Sequence, residues 1–171
     1  RDLYIRTMSG IQISLFVSLL ATFVSIPIGV AWGSVAGYLG GRVDELMMRF
    51  VDVLYSLPFI LIVILLTVIF GSNLYLLFGA LGAIYWLDMA RIVRGQTIKL
   101  KSAPFILAAE DQGASTRDIL LRHVIPNVTS PVIIYGTITV PAIILAESFI
   151  SFLGLGIQEP QTSLGVLISD G

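Results

Sequence analysis

APFILAAEDQGASTRDILLRHVIPN, residues 103–127, is a polar island in a chain that is apolar on both sides of it. Glu110, Asp111, Arg117, Asp118, Arg122 and His123 fall here among small residues. Pro104 suits the first turn of a helix, where its missing N–H would be unpaired anyway, and Gly113 suits the left-handed residue that ends one. Ser115 with Asp118 three residues on has the spacing of a capping box, in which a side chain satisfies an orphan N–H. The pattern predicts two short helices, Pro104–Gln112 and Thr116–Arg122, joined by a bend at Gly113 and stopped before Pro126.

Working outward, no charged side chain occurs between Arg6 and Arg42, between Asp52 and Asp88, or between His123 and Glu147. Each interval exceeds the ~20 residues that a membrane-spanning helix needs. With 56% hydrophobic and 12% charged residues, the chain reads as an all-α, polytopic membrane helix bundle. Four spans are expected. The first runs about thirty residues from Gly10, after a polar interfacial lead-in over Arg1–Ser9, and ends at Gly40-Gly41. A second runs from about Val43 to Phe70 with a kink at Pro58, followed by a turn at Phe70-Gly71-Ser72-Asn73. The third extends from Leu74 to about Lys101, and the fourth, carrying Pro131 and Pro141, from Asn127 to Ile150. A Gly-containing loop follows from Gly154. The chain reads as one transmembrane domain over residues 1–171, with the loop at about 102–126.

In the first span Ser25, Gly29, Gly33 and Gly37 recur every fourth residue, a face on which another helix backbone can approach closely. Pro27 is a candidate kink in the same helix. Orientation follows from Lys and Arg: with the island inside the cell, eight of the ten basic residues lie on that side and only Arg1 and Arg6 opposite. The positive-inside rule therefore places the island in the cytoplasm.

Zero Cys and one His exclude a disulfide framework and multi-His or thiolate metal sites. No HExxH, GxSxG or phosphate-binding Gly-Lys motif occurs, so any ATP must be bound by another chain. A formal net charge of -1 says little here, and no nucleic-acid partner is expected. Acids near spans are functional candidates by default. Asp88 has Arg91 three residues on, and Asp52 has Arg49 three residues before, so local ion pairs account for both. Glu147 has no basic neighbour within a turn and lies about 30 Å of helix beyond Asn127. It is read either as a contact to a partner subunit or, with Pro58 and Pro141, as a candidate for the gate or pathway. His123 reads as a surface or interface residue, and Tyr85 and Trp86 as packing or interfacial aromatics.

The island resembles the EAA loop of ABC-importer permease subunits, a pattern of Glu-Ala-Ala, three residues, Gly, and about a dozen residues to a Pro. Ala108, Ala109, Gly113 and Pro126 fall on it; Leu107 stands where Glu is usual, and His123 where a branched apolar residue is usual. Arg122-His123, two apolar residues and Pro126-Asn127 are similar to the oligopeptide/dipeptide branch. So are Trp86-Leu87-Asp88-Met89-Ala90-Arg91, and Ser151-Phe152-Leu153-Gly154-Leu155-Gly156 followed by Gln158-Glu159-Pro160.

The resemblance implies a type I ABC-importer permease fold in the bacterial or archaeal cytoplasmic (inner) membrane. It implies a fragment, with one helix of the family before Arg1 and another after Gly171. Implied partners are a second permease subunit, two ATP-binding subunits that hold ATP and Mg, an extracytoplasmic solute-binding protein and the lipid bilayer. The chain itself is expected to bind no cofactor or metal and to catalyse nothing. Docking on the ATP-binding subunit falls to Leu107, Ala108, Ala109, Gly113, Ala114, Ser115, Arg117 and Asp118. The implied mechanism is alternating access in an ATP-driven importer, with peptides the cargo that the branch implies and other small solutes carried by related permeases. Two other classes remain: an ATP-independent channel or secondary transporter, and a membrane enzyme using Asp52 with Asp88 as an acid–base pair.

Overall fold

Helices account for every regular element in the described residues, 2–70 and 74–154 of this computed structural model. They are α1 (Asp2–Leu39), α2 (Gly41–Ser56), α3 (Phe59–Phe70), α4 (Leu74–Lys101), α5 (Pro104–Asp111) and α6 (Thr116–Asp118). A π-helical segment, Ile119–Val124, then leads into α7 (Ile125–Phe152). The expected turn at residues 71–73, and the loop and motif from Leu155 through Pro160, lie outside the described residues.

Local chemistry explains the boundaries, including those that differ from expectation. α1 is already helical at Asp2, so the lead-in is part of the helix, and the Ser9 hydroxyl is satisfied inside it by donating to the Ile5 carbonyl (3.0 Å). Gly40 and Gly41, at φ +67° and +54°, turn the chain out of α1. The single kinked helix expected around Pro58 is two helices. Pro58 has no N–H to continue α2, while its carbonyl accepts from the Leu61 and Ile62 N–H groups (2.9 and 3.3 Å) and so begins α3.

Pro126 does not stop a helix either: Thr116–Phe152 is one continuous helical run. The wider π turn lets the Ile125 N–H reach the Leu120 carbonyl, and the Asn127 amide donates to the His123 carbonyl (2.6 Å), so the ladder absorbs the missing proline donor.

Among the described residues two helices, Tyr4–Leu39 and Thr116–Phe152, are long and apolar enough to cross a membrane. The broken pair α2 and α3 makes a third when taken as one span. α4 coincides with the third expected span in its bounds, but Asp88, Arg91, Arg94, Lys99 and Lys101 dilute its second half.

The helices divide into two compact units. One comprises Arg1–Val24, Leu57–Tyr85 and Thr137–Gly171, and the other Ser25–Ser56 and Trp86–Gly136. In the first, Val17, Ala21, Val63, Leu81, Ile143 and Ile150 are buried together. Glu147 lies fully buried in this unit, its two carboxylate oxygens accepting from the Ser14 and Ser151 hydroxyls at 2.7 Å each. Tyr85 donates to the Ala142 carbonyl (3.2 Å), while Pro58 and Pro141 are exposed.

In the second unit α1 lies so close to α4 that side chains are excluded between them. A Cβ on Gly33 would fall 2.4 Å from the Ala90 carbonyl oxygen, and one on Gly37 2.8 Å from the Arg94 carbonyl oxygen. Beside this seam Trp32 packs edge-on against the buried Trp86 (centroids 5.4 Å) and donates to the Met47 carbonyl (3.2 Å). Asp52 and Asp88 of this unit take partners from other helices. Asp52 pairs with Arg91 (2.7 Å), not Arg49, which pairs with Glu45 (3.4 Å). Asp88 is hydrogen-bonded by Tyr55 and Tyr135, and Arg91 stacks over the Tyr55 ring at 4.2 Å.

The near-buried Asp44 takes both a nitrogen Nε and an Nη2 hydrogen bond from Arg94, the latter at 2.6 Å, fastening α2 to α4. Arg94→Ala leaves that carboxylate buried without a partner. It is expected to cost about 1–3 kcal/mol, read as a lower melting temperature of the purified full-length protein in detergent.

Candidate functional site

The island forms as its capping chemistry dictates. Ala103, in extended conformation, caps α5 by accepting from the Ile106 and Leu107 N–H groups (3.0 and 3.2 Å), with Pro104 at the first helical position. At the other end Gly113 stands at φ +80°, its N–H donating to the Glu110 carbonyl (2.9 Å), and the Ala114 N–H donates to the Ala109 carbonyl (3.0 Å). These are the paired bonds of a Schellman turn. Ser115 then caps α6: its hydroxyl oxygen accepts from the Asp118 N–H (3.2 Å) and its proton goes to the Asp118 carboxylate (2.6 Å).

The underside of the loop is anchored. Ile106, Ile119, Val124 and Val128 are buried with Tyr38, Met89 and Val93, and Ala109 and Ala114 pack against that cluster half-buried. Leu107, Ala108, Gly113, Ser115 and Arg117 are exposed, and Asp118 is half-buried. The outer face is more apolar than a water-facing loop needs: Leu107 is 47% exposed and Phe105 42%. Between Phe105, Ala108, Gly113 and His123 lies a hollow of about 400 Å³. The half-buried His123 ring sits 6.5 Å from that of Phe105.

Elsewhere the candidates separate. Gly29, Gly33 and Gly37 line the α1–α4 seam, and Glu147 lies buried in the other unit. The Asp52–Asp88 pair of the enzyme reading is taken up by Arg91 and by two tyrosines. Among the described residues no cluster of three or more His, Asp or Glu side chains could hold a metal.

At the loop, one contact has no counterpart in the sequence reading. The Tyr38 hydroxyl, from the end of α1, donates to Glu110 Oε1 at 2.6 Å. No spacing signals a bond between residues so far apart in the chain.

Long apolar helices joined to a capped, polar loop with a partly apolar outer face define a polytopic membrane protein. Residues 29–171 match the binding-protein-dependent transport system inner membrane component family, and the chain belongs to it. It is 53% identical over 171 residues to the oligopeptide transport system permease protein OppC of Haemophilus influenzae, covering 100% of this chain and 55% of that protein. To the dipeptide transport system permease protein DppC of Bacillus subtilis it is 49% identical, covering 100% of this chain and 53% of the relative. To OppC of Escherichia coli (strain K12) it is 53% identical, covering 100% and 57%. The chain thus spans about half the length of these relatives.

Proposed function

We propose that the chain is part of the permease subunit of an ATP-driven importer in a bacterial or archaeal cytoplasmic membrane. It forms half of a translocation path and docks through loop 102–126 on a separate ATP-binding subunit. The observation that carries this reading is the apolar outer face of a loop held firmly from beneath. Leu107 and Phe105 stand exposed on a segment that charge distribution assigns to the cytoplasm. Exposed apolar patches rimmed by polar groups mark protein contacts.

ATP and Mg belong to the partner's site in this reading, and a second permease subunit completes the path. An extracytoplasmic binding protein delivers the solute. Peptides are the favoured cargo because the relatives above are described as oligopeptide and dipeptide permeases. A cysteine crosslinker placed at Ala109 or Ser115 of the full-length protein is expected to capture the ATP-binding subunit in membranes. Labelling of either position by a membrane-impermeant reagent from outside the cell contradicts the assignment, as does crosslinking that never yields that partner.

A further inference from the structure

We propose that Tyr38 is a positioning residue: it ties the docking helix α5 to α1 through Glu110, so that a load on the loop reaches α1 directly and not only along the chain. This rests on the docking function proposed above.

The tie is built from both sides. Tyr38 is only 7% exposed and shares its cluster with Ile106 of α5, Ile119 and Val124 of the π-helical segment, and Val128 of α7. Its neighbour Gly37 lies so near α4 that α1 has no freedom to retreat, and Lys101, the last residue of α4, places Nζ 5.6 Å from the Tyr38 ring. The phenol therefore stands on a rigid base. Its partner, Glu110, directly follows Ala108-Ala109, and its carbonyl accepts the Gly113 N–H that closes the turn of α5. The 2.6 Å separation is that of a short O–H···O bond to a carboxylate. Glu110 is exposed on its helix. A hydrogen bond to a deeply seated phenol restricts a side chain that would otherwise project into solvent, and with it the C-terminal turn of α5.

The test uses the full-length permease assembled with its companion subunits in liposomes of phosphatidylethanolamine and phosphatidylglycerol, with a spin label at Gln112→Cys, exposed in the C-terminal turn of α5 and outside the docking residues. Tyr38→Phe keeps the ring and its packing and removes only the donor. It is expected to raise the mobile fraction of the label about two- to tenfold, the range of one net hydrogen bond. Glu110→Gln still accepts through its amide oxygen and restores the immobile spectrum, whereas Glu110→Ala resembles Tyr38→Phe. Because both act on one bond, the double variant Tyr38→Phe/Glu110→Ala is no more mobile than either single variant.

An unchanged spectrum in Tyr38→Phe, or additive effects in the double variant, overturns the tie. Crosslinking from Ser115 in the same preparations reads the docking function separately. Failure to capture the ATP-binding subunit removes that function whatever the label reports. Capture with unchanged mobility removes only the tie.

Discussion

Gly33→Leu is expected to leave the full-length permease unable to fold, with no monodisperse peak on size-exclusion chromatography after detergent extraction. The reason is the kind of atom that a side chain meets. A Cβ at position 33 falls 2.4 Å from the Ala90 carbonyl oxygen, 2.8 Å from the Arg94 amide nitrogen and 2.9 Å from Val93 Cβ. Two of these are backbone atoms of α4, which cannot rotate away. At Gly29 a Cβ meets Met89 Cβ and Cγ at 2.5 and 2.6 Å and the Trp86 carbonyl oxygen at 2.9 Å, and none of these is the free end of a flexible side chain. Overpacking costs about 1–3 kcal/mol where side chains adjust, occasionally more, and Gly33 belongs beyond the upper end. Gly29→Ala is thus expected to destabilise as Gly33→Ala does. Gly95, in α4, has nothing within 4 Å of a Cβ. There the substitution to Ala is expected to stabilise by about 0.5–1 kcal/mol through helix propensity. A Gly33→Leu protein that melts like the unaltered one removes the close-packing account of this seam.

The contrast separates what is legible in the sequence from what is not. Caps are local, so Pro104, Gly113 and the Ser115–Asp118 pair foretell the loop, and uninterrupted apolarity ending in Arg and Lys foretells α4. Pro126 misleads because the π-helical turn before it is a property of the backbone ladder with no spacing rule of its own. Asp52 misleads for another reason: Arg49, its near neighbour in sequence, satisfies it on paper, whereas Arg91 satisfies it in the fold, and Asp88 has two tyrosines beside the expected Arg91 charge. One of the two hydroxyls on Glu147 comes from Ser14, 133 residues away, and the partner of Tyr38 is 72 residues away. A single chain carries no local trace of either contact.

This distinction bears on how the loop works. Its shape is encoded locally and so forms wherever the chain emerges, but its placement depends on the distant groups that seat it: Ile106 in the common cluster, and Glu110 on Tyr38. Shape and placement are therefore separable by substitution. Tyr38→Phe alters placement alone, while a change at the bend alters shape alone.

Gly113 is the position at which shape has most effect. Nothing lies within 4 Å of a Cβ there, so a side chain meets no obstacle and the whole effect is conformational. At φ +80° an ordinary L residue costs about 1–2 kcal/mol, which lowers the population of the correct turn about tenfold. Asn tolerates this region better than Ala. Pro is worst, because its ring holds φ near −65° and it lacks the N–H that bonds the Glu110 carbonyl at 2.9 Å. With the Schellman turn gone, α5 and the Ser115 cap lose their mutual orientation, and the proposed docking face divides into two unrelated halves. The expected order of transport-coupled ATP hydrolysis is therefore Gly113, then Asn, Ala and Pro, with Gly113→Pro below about a tenth of the original rate. Membrane insertion and yield stay unchanged, since the α1–α4 seam and the buried Glu147 site do not include the bend. Full coupling in Gly113→Pro excludes this loop as the transmitting element. Equal losses of yield and activity instead make the bend a folding determinant, and the measurement that separates the two is ATP hydrolysis per molecule of assembled transporter.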